Sequence, residues 1–434
     1  MSSAAIGLAG VISLLVLIAL RVPVAIAMGI VGIVGGVAIN GWFSLGFVLG
    51  SQPFVTVFPY TLSVIPLFVL MGAFAARAGL SASLFSSLHA LIGHWRGGLA
   101  SATVGACALF GSVCGSSLAT AATMARVAIP EMRAVGYDDR LTAGSVAAGG
   151  TLGILIPPSI IMVIYAIMTE QSIGRMFLAG LIPGCLAAGL YMLAVYLVAR
   201  LRPGSAPRAP RLGTAERIRA IREMAPVLVL FVAVMGSIYF GIASPTEAAA
   251  VGAFGAIVLA AMRGRLTIEV IRESLMETAV TTGMIFMILV GTSVLQFFIE
   301  TSTLPQLLLE WIRSLNMPPI GVLVLILMVY VVLGCFLDSL SMLLITLPIF
   351  FPLVTSLGYD PIWFGILVTS VAEIGLITPP VGMNLFVIAS VSGSIRFETA
   401  AVGVVPFLMA DFVRVVLLVA FPAITLLLPR LLMG

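Results

Sequence analysis

The sequence predicts an all-α polytopic membrane protein made of two inverted repeats, with about ten full spans, two re-entrant helical hairpins and two broken helices. Three observations predict this fold. First, 61% of the 434 residues are hydrophobic and only 9% are charged, which is too apolar for a water-soluble domain. Second, apolar stretches of roughly 20 residues, the length that crosses a bilayer, recur from end to end. Third, one pattern of prolines and glycines occurs twice.

The first apolar stretch, residues 4–20, has no basic residue before it and Arg21 after it, so we expect a retained membrane helix and not a signal peptide. All 21 basic residues are arginine, and seven lie in the Pro/Ala-rich segment 200–224. Such a segment between apolar stretches predicts a cytoplasmic loop and gives no support to nucleic-acid binding. The four cysteines form no CxxC pair, so neither a disulfide framework nor a zinc site is predicted.

An internal repeat flanks that loop. Residues 130–158 align without a gap on residues 352–380, at a constant offset of 222 (352 − 130). The residues with an identical partner are Pro130, Gly136, Tyr137, Asp138, Val146, Gly153, Pro157 and Pro158. Two halves of one architecture are therefore predicted: a first repeat over 1–199, an arginine-rich linker over 200–224 and a second repeat over 225–434.

Counting membrane crossings away from the loop gives five in each half. The predicted spans lie near 4–20, 24–40, 61–76, 141–168 and 176–198, then near 226–242, 246–261, 281–298, 361–390 and 402–428. Because each repeat has an odd number of crossings, the second repeat is predicted to have an inverted topology relative to the first. Most arginines then fall on the cytoplasmic side, and Arg430 is the clear exception.

Two apolar segments in each half are left uncounted, and those of the first half are a little short for spans. We expect each pair to form a re-entrant hairpin, near 99–134 and, by the offset of 222, near 321–357. The first hairpin has CGSS at its tip, from Cys114 to Ser117, and the second has LDSLS, from Leu337 to Ser341. Non-helical backbone at membrane depth is stable only where protein or a water-filled cavity surrounds it.

Each half also breaks one long apolar run with two prolines, Pro157 and Pro158 or Pro379 and Pro380. Proline removes a backbone donor and clashes with the preceding turn, so a broken helix is predicted over 141–168 and again over 361–390. The freed carbonyl groups, beside hydroxyls from a hairpin tip, resemble an oxygen cage for a small cation such as Na⁺. Half-helix N-termini favour an anion. The simpler alternative is a kink in a packed helix.

Five motifs carry a resemblance to a known family. They are GSVCGSSLATAATMARVAIPEM (111–132), GTLGILIPPS (150–159), SPTEAAAVGA (244–253), LDSLSMLLITLPIFFP (337–352) and GLITPPVGMNLFV (375–387). In this order they resemble the large, DctM-like membrane subunit of tripartite ATP-independent periplasmic (TRAP) transporters, over essentially the whole chain.

The resemblance implies a Na⁺-driven secondary transporter of the ion-transporter superfamily, in the bacterial inner membrane, that works by an elevator movement. It implies a small four-helix membrane partner (DctQ-like) and a periplasmic binding protein that delivers an organic acid: a C4-dicarboxylate, sialic acid or another carboxylate. Apart from Na⁺ as coupling ion, no cofactor is implied.

The resemblance also implies site residues. The first Na⁺ site would use Gly115, Ser116, Ser117, Gly150, Gly153 and Pro157. The second would use Asp338, Ser339, Ser341, Thr378, Pro379, Gly382 and Asn384. Substrate would lie between the tips, near Arg126, Ser116, Ser159, Ser339 and Asn384.

Several residues keep two interpretations. Cys114 stands where many members of the family have serine, which weakens its claim as a ligand. Arg126 either pairs with a substrate carboxylate or extends to the cytoplasmic surface. For Asp338 a cation ligand is preferred over a helix cap, because an intramembrane acid is costly. Glu373 either contacts an ion or pairs with a polar group.

Other classes of protein fit less well. An intramembrane serine hydrolase needs a base beside its serine, but His89 and His94 both fall in one predicted interfacial segment, so the chain is predicted not to be an enzyme. An ion channel is a remote alternative, since the two hairpin tips are unlike. The nearer alternative is a self-sufficient dicarboxylate or anion carrier of the same superfamily.

Overall fold

A computed structural model describes residues 2–314 and 317–433. Within them the chain is helical, with no strand, as predicted. The α-helices are α1 (Ser3–Ala19), α2 (Val24–Val57), α3 (Val64–Arg77), α4 (Leu80–Ile92), α5 (Gly98–Cys114), α6 (Ser117–Ala134), α7 (Asp139–Leu155), α8 (Ile160–Met168), α9 (Ile173–Leu201), α10 (Thr214–Tyr239), α11 (Pro245–Met262), α12 (Ile268–Thr301), α13 (Leu304–Ser314), α14 (Pro319–Gly334), α15 (Ser339–Ser356), α16 (Pro361–Ile377), α17 (Met383–Ser392), α18 (Phe397–Gly403), α19 (Val405–Ala420) and α20 (Ala423–Met433).

Eight helical segments of the described chain are long and apolar enough to cross a membrane, and a ninth arises if α18 and α19, bent by 42°, form one span. The protein is therefore polytopic, while the count of ten spans stays a prediction. The predicted span 402–428 is wrong in its limits, because helix breaks at Val404 and near Phe421 divide that stretch among α18, α19 and α20.

The arginine-rich linker is shorter than predicted. Non-helical backbone runs only over 202–213, and 214–224 are the first turns of α10. A capping interaction explains the early start: a Glu216 carboxylate oxygen accepts a hydrogen bond from the Gly213 backbone N–H at 3.1 Å, which satisfies one of the free donors at the helix N-terminus. Residues 214–224 are charged and mostly exposed, and they lack the apolar pattern of a buried helix. The sequence therefore does not mark them as helical.

The sequence repeat is also a structural repeat. Helices α6 and α15 start 222 residues apart (339 − 117), and so do α7 and α16 (361 − 139). The Pro157–Pro158 and Pro379–Pro380 peptide bonds are both cis. The halves also differ in places: for example, α12 runs unbroken through Thr281, whereas Pro59, at the equivalent position, separates α2 from α3. The inverted relation of the repeats across the membrane stays a prediction.

Each hairpin packs on the broken helix of its own half through paired glycines. A methyl group on Gly111 of α5 would lie 2.5 Å from the Cα of Gly153 in α7, and one on Gly375 of α16 would lie 2.5 Å from the Cα of Gly334 in α14. Backbone therefore meets backbone at both contacts. This close packing places each hairpin tip beside a Pro-Pro break.

Candidate functional site

The first hairpin tip turns in two residues. Gly115 ends α5 with a φ of +66°, and the Ser116 hydroxyl caps α6 by accepting a hydrogen bond from the Ala119 N–H at 3.4 Å. A side chain on Gly115 would lie 3.2 Å from the carbonyl oxygen of Pro158. The tip therefore contacts the first Pro-Pro break, as the sequence predicted.

Two oxygen atoms lie close to Gly153, which has no side chain. A methyl group at Gly153 would lie 3.2 Å from the Ser116 carbonyl oxygen and 3.0 Å from the hydroxyl of Thr120. The Thr120 hydroxyl is fully buried and makes no hydrogen bond within the described part of the chain. Thr120 was missed in the sequence; the available signal was a hydroxyl one helical turn after Ser116.

The second tip holds an acid where the first holds a serine. Asp338 caps α15, since its carboxylate accepts a hydrogen bond from the Ser341 N–H at 3.0 Å. The Ser339 hydroxyl is buried and makes no hydrogen bond within the described residues. Asp338 thus has at least the capping role, and its second carboxylate oxygen is left for another ligand.

At the second break the chain turns between Thr378 and Gly382. The Thr378 hydroxyl donates to the Ile374 carbonyl at 2.6 Å, and Gly382, at φ +56°, brings its backbone close to the Thr378 carbonyl oxygen. Gly150 packs instead against Ala121 of α6. Among the six residues predicted for the first site, Gly150 therefore has a packing role.

Both tips line one cavity of about 680 Å³. Residues 114–119 and 338–341 form two sides, and the start of α2, the middle of α3 and α12 close it. The lining is mostly apolar, and its charged side chains among the described residues are Asp338 and Glu277. Glu277 of α12, which the sequence did not single out, forms a 2.5 Å ion pair with Arg77 of α3.

Three predicted substrate residues lie elsewhere. Arg126 is exposed on α6 and is not among the residues lining the cavity. The Ser159 hydroxyl is buried, donates to the Ile154 carbonyl at 2.6 Å and caps α8 by accepting a hydrogen bond from the Met162 N–H at 3.5 Å. Asn384 donates from its side-chain amide to Ser117 at 2.8 Å and to the Ala147 carbonyl at 3.1 Å, which fastens α17 to the first tip and not to the second.

Glu373 and Cys114 can now be placed. Glu373 lies outside the cavity, and its carboxylate is 2.6 Å from the guanidinium of Arg414, with both side chains fully buried. Its pairing is thus with a charged group of α19. Cys114 lines the cavity, and its carbonyl oxygen would lie 2.9 Å from a side chain on Gly72 of α3, so its backbone makes the close contact there.

Two hairpins, two broken helices and a shared cavity define a membrane transporter. A family description, "Tripartite ATP-independent periplasmic transporter, DctM component", matches residues 11–424. The chain therefore belongs to the DctM family of TRAP transporter large permease proteins and is a multi-pass protein of the bacterial inner membrane, not an enzyme.

Named relatives agree with this assignment. The chain is 39% identical over 383 residues to the C4-dicarboxylate TRAP transporter large permease protein DctM of Pseudomonas aeruginosa, covering 88% of this chain and 89% of that one. It is 35% identical to the sialic acid large permease protein SiaM of Vibrio cholerae, covering 86% and 87%. The crystal structure of the Alcanivorax borkumensis YdaH transporter shares the fold, with a TM-score of 0.64 at 16% identity over 88% of this chain and 89% of that one.

Proposed function

We propose that the protein carries a small organic acid into the cell together with Na⁺, as the translocating subunit of a binding-protein-dependent TRAP transporter. The observation that supports this most directly is that both hairpin tips line one shared cavity. A substrate between the tips would contact the N-termini of α6 and α15, whose partial positive charge favours a carboxylate.

Oxygen atoms at both tips support binding of the coupling ion there. At the first tip, the Ser116 carbonyl and the Thr120 hydroxyl lie beside Gly153, and the Pro158 carbonyl lies beside Gly115. At the second, Asp338 and the Ser339 hydroxyl, which has no hydrogen bond among the described residues, line the same cavity as Leu376 and Met383 on either side of the break. Hydroxyl, carbonyl and carboxylate oxygens are the ligands that hard cations prefer.

The substrate class is that of an organic acid. The two relatives described above are named for a C4-dicarboxylate and for sialic acid, and these share a carboxylate. Two Na⁺ would cancel the charge of a dianion and would leave one positive charge with a monoanion, so membrane potential would assist only the second case.

The word "tripartite" in the family description favours two partners over a self-sufficient carrier: a small four-helix membrane subunit and a periplasmic substrate-binding protein. We further propose an elevator movement, in which the hairpins and broken helices slide against α2, α3 and α12. The cavity lies between these two groups of helices, where such a movement would open it to either side.

The test is thermal unfolding of the purified protein during a Na⁺ titration, with choline holding ionic strength constant. Na⁺ at 100 times its dissociation constant should stabilise the fold by about 2.7 kcal/mol. Thr120→Val and Asp338→Asn should each reduce the Na⁺-specific shift, and Ser159→Ala is the matched control that should not. An equal shift with K⁺ or choline would remove Na⁺ coupling at the tips from the proposal.

A further inference from the structure

A cluster of four ionisable side chains lies apart from the tip cavity. Glu373 belongs to α16, Asp411 and Arg414 to α19 and Tyr191 to α9, and all four are fully buried. Tyr191, Asp411 and Arg414 lie near the middle of their helices, and Glu373 lies five residues before the break at Thr378. Three of the four residues therefore lie away from the ends of their helices, and Glu373 lies in the last turns of α16.

Arg414 stands between the two acids. Its guanidinium is 2.9 Å from an Asp411 carboxylate oxygen and 2.6 Å from a Glu373 oxygen, and it also donates to the Ser370 carbonyl at 3.2 Å. The Tyr191 hydroxyl lies 2.8 Å from both oxygens of Asp411. Asp411 thus has the partners that an ionised carboxylate needs, a cation and a hydrogen-bond donor.

Glu373 lacks them. Within the described residues neither of its oxygens makes a hydrogen bond, because the short contact to Arg414 does not have hydrogen-bond geometry. The Ser370 hydroxyl, one turn earlier on α16, is also fully buried and makes no hydrogen bond among the described residues. An ionised carboxylate left this way in a dry interior costs several kcal/mol, so protonation is the cheaper state.

The charges lead to the same conclusion. With both acids ionised, two negative groups would face one guanidinium, and the cluster would hold one uncompensated negative charge away from water. Helix α7 also packs here, but it contributes the uncharged Thr151, whose hydroxyl is 3.4 Å from that of Tyr191. One bound proton makes the cluster neutral.

We propose that Glu373 is a proton-binding site: it takes up one proton from solvent and is a neutral carboxylic acid, while Asp411 stays ionised and pairs with Arg414. This site does not rest on Na⁺ binding at the tips. By the offset of 222, Glu373 occupies the position of Thr151 in the first repeat (373 − 151). The proton site is therefore present in only one half, beside both broken helices.

Infrared difference spectroscopy of the full-length protein tests the proposal through the C=O stretch of a protonated carboxylic acid. At neutral pH the wild type should show this band, and Glu373→Gln should lose it. Glu300→Gln, a change of an exposed acid on α12, is the matched control and should keep it. Asp411→Asn should also lose the band, because Glu373 then becomes the only counter-ion of Arg414 and ionises.

A second measurement separates a bound proton from a structural role. Raising the pH removes the proton and leaves a buried charge, so the melting temperature of the wild type should fall toward alkaline pH more than that of Glu373→Gln, which mimics the neutral acid. Parallel pH profiles, or a wild type without the band at neutral pH, would overturn the proposal. Loss of a Na⁺-specific shift in Glu373→Gln together with no band would assign the site to Na⁺ instead.

Discussion

The hydrogen bond between Asn384 and Ser117 joins the second broken helix to the first hairpin tip, and a double-mutant cycle measures its strength. Asn384→Ala removes two hydrogen bonds, at 2.8 and 3.1 Å, and leaves the buried Ser117 hydroxyl without this partner. Leaving a buried polar group without a hydrogen bond costs roughly 1–3 kcal/mol. We therefore expect the free energy of unfolding to fall by about 2 kcal/mol in Asn384→Ala and by about 1 kcal/mol in Ser117→Ala.

The coupling energy between the two changes should be near 1 kcal/mol. Side-chain hydrogen bonds between membrane helices average about 0.6 kcal/mol in such cycles and reach about 1.7. The upper half of this range applies here because both side chains are buried and the bond is short.

Denaturant unfolding in detergent micelles, in Na⁺-free choline buffer, gives the four free energies without a contribution from ion binding. Asn384 with Ser159 is the control pair, since Ser159 bonds to Ile154 and not to Asn384, and its energies should add within about 0.3–0.5 kcal/mol. A coupling between Asn384 and Ser117 no larger than the control would refute the contact.

Three further outcomes are expected. Gly111→Ala should destabilise the fold by about 1–3 kcal/mol in denaturant unfolding, since the new methyl group meets the backbone of Gly153. Gly29→Ala is the control and should not destabilise the fold, because its methyl group meets no atom within 4 Å. Equal effects of the two changes would contradict the glycine contact. Ser159→Ala should lose about 0.5–2 kcal/mol through its cap and keep the Na⁺ response. Arg126→Ala should change the KM for uptake by the complete transporter by no more than about twofold. A tenfold rise in KM, about 1.4 kcal/mol, would show that Arg126 contributes to substrate binding.

Local signals explain what the sequence predicted well. Pro157, Pro158, Pro379 and Pro380 break their helices through covalent geometry alone, and serine or aspartate at the hairpin tips caps the helix that follows. These features depend on neighbours in the chain. The breaks, the tips and the repeat were therefore predicted at the residues where the structure has them.

Contacts between distant segments were not predictable in this way. The partner of Asn384 lies 267 residues away, and no local pattern distinguishes it from the nearer second tip. Arg126 was assigned from its hairpin, but nine residues of helix separate it from Ser117, which is about 13 Å along the axis. The position of the Thr120 hydroxyl beside Gly153 and the Ser116 carbonyl depends on how α6 packs on α7.

Asn384 has a consequence for the order of events in transport. It follows Gly382 by two residues, so it moves with the backbone of the second break, yet its amide is bound to the first tip. In the proposed mechanism, a rearrangement that empties one of the two cation sites would therefore strain or break this hydrogen bond beside the other. Thermodynamic linkage would make this influence mutual, so that two bound ions would load and leave as a cooperative pair and partly loaded states would be rare.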